Sequence, residues 1–106
     1  MEDVYIARAG AHSQDRNTAN KIKALCMAAG LENMVNHGDL TAVKVHFGER
    51  GNDAFVNPLH VASVVKEIEA IGAKPFLTDT NTLYLGGRRN TVDHAKTAAM
   101  HGFCYP

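Results

Sequence analysis

The chain has 106 residues, 45% of them hydrophobic, enough for one domain with a modest core. Its 11 Lys and Arg balance 11 Asp and Glu, so no net field exists to hold a nucleic acid or an anionic membrane surface. The longest apolar run is far short of the ~20 residues a membrane helix needs, and no basic segment followed by an apolar one opens the chain, so a cytoplasmic protein is expected.

Residues 3–9 predict a first strand, since Val4, Tyr5 and Ile6 precede Gly10 and a polar loop. Ile22, Leu25, Cys26 and Ala29 recur with helical spacing, which marks a helix from about Thr18 that Gly30 ends as a left-handed cap. A short helical turn over residues 32–36 leads to His37-Gly38-Asp39 and then to the clearest strand, residues 40–47. Alternation puts Val43, Val45 and Phe47 on one face and Ala42, Lys44 and His46 on the other.

After a polar loop over residues 48–57, Asn57-Pro58 starts a helix that runs to about Ile71, with Val61, Val64, Val65, Ile68 and Ile71 as its apolar stripe. Residues 74–78 form a third strand that runs into Asp79-Thr80-Asn81-Thr82. A loop with Gly86, Gly87, Arg88 and Arg89 leads to a third helix, capped by Asn90 or Thr91, with Val92, Ala95 and Ala99 inward and Gly102 at its end. Residues 103–105 resemble the beginning of a fourth strand.

This alternation predicts an α/β fold, with βαβ units building a mostly parallel sheet in a three-layer α/β/α arrangement. The whole of residues 1–106 reads as a single α/β domain. Because Pro106 falls where another strand would begin, the chain is expected to be an incomplete part of a larger domain, truncated after the third helix. An incomplete sheet has an open edge, so a homo-oligomer formed through that edge is an expected partner state. Cys26 and Cys104 are far apart and form no Cys-x-x-Cys pair, which argues against a disulfide framework, a zinc knuckle and a self-contained iron–sulfur site. Cys26 falls on a helix core face as a small hydrophobe.

In open parallel sheets, ligands gather beyond the carboxyl ends of the strands. The unusual residues fall there: Lys44 and His46 at the end of the second strand, Glu49 and Asn52 in its exit loop, Asp79 and Asn81 after the third, and His94 in the helix that follows. A strand buried on both faces is nearly all apolar, so Lys44 and His46 break the pattern, unless the strand lies at the sheet edge and both are solvated. Three chemistries are open. His46, Glu49, Asp79 and His94 supply imidazoles and carboxylates suited to a divalent transition metal. Lys44, Arg88 or Arg89, the glycine-loop amides and the helix start near Thr91 suit an anion, with Asn52, Asn81, Thr82, Arg89 and Asn90 as ligand-binding candidates. Acid–base work would rest on His46 with Lys44, Glu49 and Asp79, the four catalytic candidates. Asp79, Thr80, Asn81 and Thr82 equally suit the purely structural work of closing turns. The pattern locates a site without naming a reaction.

The segments Lys44-Val45-His46-Phe47-Gly48-Glu49 and Thr78-Asp79-Thr80-Asn81-Thr82-Leu83-Tyr84, with Asn90-Thr91-Val92-Asp93-His94 and His101-Gly102-Phe103, resemble the amino-terminal part of the domain of unknown function 362 family, a group of uncharacterised iron–sulfur-centre proteins. The resemblance covers most of the chain. It implies an α/β domain of unassigned activity, followed in many members by Cys-rich, ferredoxin-type segments that bind four-iron clusters. Those cysteines are not in this sequence, so no iron–sulfur cluster is expected in this chain. The residues that match the family motifs are Lys44, His46, Gly48, Glu49, Asp79, Asn81, Asn90 and His94. Two functions follow as expectations: a ligand or metal pocket at the strand ends, or a non-catalytic module that docks or scaffolds an iron–sulfur domain or protein. Nucleic acid and membrane are not expected partners.

Overall fold

The computed structural model describes residues 1–11 and 13–104. These form α1 (Thr18–Ala28), α2 (Leu31–Met34), β1 (Leu40–Lys44), α3 (Pro58–Ala70), β2 (Lys74–Thr78) and α4 (Thr91–Met100). β1 and β2 pair in parallel through the α3 crossover, which makes this a small α/β fold whose sheet has two strands among the described residues. Lys74 N–H donates to Asp39 O at 2.7 Å at one end of the ladder, and Val45 N–H to Thr78 O at 3.0 Å at the other.

The described residues group into two compact units: Met1–Thr41 with Leu59–Phe76, and Ala42–Pro58 with the chain from Leu77 onward. In the first, the Asn17 side chain caps α1 by accepting from Asn20 N–H at 2.8 Å, and Gly30, at φ 77°, takes the left-handed turn from α1 into α2. Val35, Val61, Ile68 and Ala73 are its buried apolar residues. Cys26 is half-buried on α1, where burial, aided by the charge of Glu67, pushes its thiol up.

In the second unit, Phe47 packs against Phe103 at a ring-centroid distance of 5.2 Å and edge-on to His94 at 5.4 Å, while Phe55 stacks on His101 at 4.4 Å. Phe47, Ala98 and Phe103 are buried. Asn90 starts α4 by accepting from Asp93 N–H at 2.9 Å and donating to the Asp93 carboxylate at 2.8 Å, a reciprocal cap.

Four expectations change. Residues 3–9 form no strand: Val4 and Ile6 are exposed, because β-propensity needs a ladder partner and the segment pairs with none of the described residues. β1 stops at Lys44 instead of Phe47, since after Val45 the next amide bond is local, from Gly48 to the His46 ring. The predicted alternation nevertheless holds, with Ala42, Lys44 and His46 exposed and Phe47 buried. In α4 the buried residues are His94, Thr97 and Ala98, whereas Val92, Ala95 and Ala99 are exposed. Phe103 and Cys104 lie in no strand, and Tyr105 is outside the described residues.

Candidate functional site

The chemistry of the second unit is organised around Arg88, which is only 4% exposed. Its Nε and Nη2 both donate to Glu49 Oε1, at 2.9 and 2.5 Å, Nη1 donates to Asp79 Oδ2 at 3.3 Å, and Nη2 also reaches the Tyr84 hydroxyl at 2.7 Å. The Tyr84 hydroxyl in turn donates to Glu49 Oε1. Glu49 leaves β1 and Asp79 leaves β2, so one buried guanidinium ties both strand exits together. Lys44 Nζ adds a contact to Asp79 Oδ1 at 3.4 Å with 70% of its own side chain exposed.

The formal charges of Lys44, Arg88, Glu49 and Asp79 cancel. The Arg88 guanidinium, followed by the Tyr84 hydroxyl, holds the Glu49 carboxyl below the usual carboxylate range. Burial opposes ionisation of Asp79, but the Thr80 N–H, Lys44 and Arg88 together outweigh it and hold this carboxyl low as well. Glu49 pulls the Tyr84 phenol above its ordinary value. Both carboxylates are therefore ionised at neutral pH.

Around this centre the loops are tightly fastened. Gly48 has φ 85°, and a Cβ there would stand 2.5 Å from Phe55 Cδ1 and 2.8 Å from His101 Nδ1, so only glycine fits. His101 Nδ1–H donates to Phe47 O at 2.6 Å. Arg50 Nε donates to Thr97 Oγ1 at 2.9 Å, and the fully buried Thr97 hydroxyl donates to Gly87 O at 2.7 Å. Adjacent residues Glu49 and Arg50 thus hold the loop at two different anchors.

The candidates from sequence divide accordingly. Lys44, Glu49 and Asp79 meet at Arg88. His46 is exposed, and its Nδ1 accepts Gly48 N–H at 3.0 Å. His94 is 6% exposed, and its Nδ1 meets Asn81 Oδ1 at 2.9 Å while its buried Nε2 has no partner among the described residues. The structure does not gather His46, Glu49, Asp79 and His94 as one metal-ligand set, and among the described residues no three His, Cys, Asp or Glu side chains stand where they would hold an ion. The carboxylates are committed to Arg88 and the two imidazoles to separate partners.

Of the ligand-binding candidates, Asn52 accepts from Ala54 N–H, Thr82 donates to Tyr84 O and Asn90 caps α4, so these three fasten their own backbone. Arg89 is exposed, and its neighbour Arg88 is the residue at the centre. Tyr84, Arg50 and Thr97 were not singled out by sequence reasoning. Arg50 meets Thr97 47 residues away, Thr97 meets Gly87 10 residues away, and Tyr84 joins Glu49, 35 residues earlier, to Arg88, four residues on. An open apolar cleft of about 400 Å³ lies in the other unit between residues 4–7 and α1. Its one charged lining side chain, Lys21, is used on the Arg8 and Gly10 carbonyls. No helix of the described residues is long and apolar enough to cross a membrane.

No curated protein and no solved structure matches the chain. The family profile described as a domain of unknown function, DUF362, matches residues 41–105, more than half of the chain and every residue of the Arg88 cluster. The protein that builds this buried guanidinium centre therefore belongs to the DUF362 family.

Proposed function

We propose that the chain binds a small ligand at the carboxyl ends of β1 and β2, with the Arg88 network as the frame that fixes the surrounding loops. The observation that carries this reading is the burial of Arg88 between carboxylates from both strand exits. A buried ion pair stabilises a fold no better than apolar packing of similar volume, so its presence here points to positioning. Strand exits of this kind are also where parallel α/β sheets take their ligands. The test is amide NMR of the whole chain against a panel of anionic, neutral and cationic metabolites. Perturbations should concentrate in residues 44–52 and 79–94; a panel that perturbs neither segment refutes the reading.

A second reading is favoured by Leu83 and Leu85, which are exposed on either side of Tyr84. In it the domain docks a cluster-carrying, ferredoxin-like domain through this apolar tip, which Arg88 anchors through Tyr84. Mixing with a four-iron ferredoxin should then broaden or shift the resonances of residues 83–85, and unchanged spectra would remove it.

A further inference from the structure

We propose that the ligand is anionic and is held by Lys44 and His46, a refinement that rests on the strand-end reading above. The hydrogen-bonding capacity of the cluster points this way. Glu49 Oε1 accepts from Arg88 Nε, Arg88 Nη2 and the Tyr84 hydroxyl. Asp79 Oδ2 accepts from Arg88, and Oδ1 from Thr80 N–H at 2.9 Å beside the Lys44 ammonium. Every nitrogen of the Arg88 guanidinium is engaged and the residue is buried, so Arg88 sets the frame and does not contact the ligand.

Two donors remain on the outside. Lys44 Nζ has three N–H bonds and one contact at 3.4 Å. His46 Nδ1 is occupied as the acceptor of Gly48 N–H, so the neutral ring carries its proton on Nε2, a donor. Lys44 is the last residue of β1, His46 follows two residues on, and both are exposed. Glu49 Oε2 is the one carboxylate oxygen of the cluster with no donor among the described residues, and the cluster has no net charge to repel an anion. Lys44 and His46 therefore suit the acceptor oxygens of a carboxylate or a phosphate.

The two anion chemistries are separated by titrating the whole chain with sodium acetate and with inorganic phosphate at constant ionic strength, followed in amide spectra. At least one anion should give saturable shifts confined to residues 44–49 and 79–82, and the stronger identifies carboxylate or phosphate as the preferred group. Lys44→Ala should weaken that binding about ten-fold and His46→Ala should weaken it as well. Both side chains are exposed, so these variants keep the core, and Lys96→Ala, exposed on α4, should bind like wild type. Shifts that do not saturate, or that persist unchanged in Lys44→Ala, overturn the proposal. Neutral or cationic metabolites acting at the strand ends equally in wild type and Lys44→Ala would refute the anionic ligand while leaving the strand-end site standing. Silence from every class would end both.

Discussion

Replacing Arg88 by Met preserves much of the side-chain volume and removes every donor of the central guanidinium. Asp79, whose side chain is 7% exposed, would then keep only Lys44 and the Thr80 N–H against the cost of its burial. Removing one partner of a fully buried pair costs about 3–5 kcal/mol. A smaller loss than that, about 2–3 kcal/mol, applies here because Lys44 stays with Asp79 and the Glu49 carboxylate can take up water at the surface. For a domain of this size that corresponds to a fall in Tm of roughly 10 °C. Urea denaturation followed by circular dichroism reads the change as a lower midpoint at an unchanged slope. Arg88→Lys should recover only a small part, since an ammonium cannot present the fork that serves Glu49, Asp79 and Tyr84 together. An Arg88→Met midpoint equal to wild type would refute the view that this guanidinium organises the strand exits.

Three further outcomes follow from the same geometry. Asp79 titrates lower in the folded chain than when unfolded, so its stabilisation is present above the unfolded carboxylate pKa of about 3.9 and is lost as pH falls through the lower folded value; Asp79→Asn should therefore flatten the decline in urea midpoint between pH 6 and pH 3, and an unchanged decline counts against the pairing. Gly48→Ala should destabilise by at least about 2 kcal/mol, combining a left-handed backbone with contacts at 2.5 and 2.8 Å, and a variant as stable as wild type would show that this turn is not held as described. Thr97→Val keeps the shape but leaves the half-buried Gly87 carbonyl and the Arg50 Nε without the hydroxyl, for an expected loss of about 1–2 kcal/mol in the same denaturation assay; a neutral result would mean that both groups find other partners.

Local chemistry was legible wherever a short stretch carried its own reason. Pro58 opening α3, the stripe containing Val61 and Ile68, the left-handed turn at Gly30 and the Asn90 cap depend on neighbours within a few residues, and each is present. The alternation along β1 also carried through, placing Lys44 at the strand end and on the exposed face. That is why sequence reasoning could locate the strand ends as the polar centre.

It failed where burial is decided by partners distant in the chain. In α4, hydropathy points Val92, Ala95 and Ala99 inward, yet the protein buries His94 and Thr97, whose polar atoms meet Asn81, Gly87 and Arg50. Residues 3–9 have the composition of a strand and pair with no strand among the described residues. Between Arg88 and Arg89 composition makes no distinction. The fold buries the first because Glu49, 39 residues earlier, and Asp79, nine residues earlier, converge on it, while the second remains at the surface. Helix caps, turns and strand alternation are short-range consequences of backbone geometry and were determined by the sequence alone; which charge lies inside a shared network depends on the convergence of separated loops, and only the tertiary structure decided it.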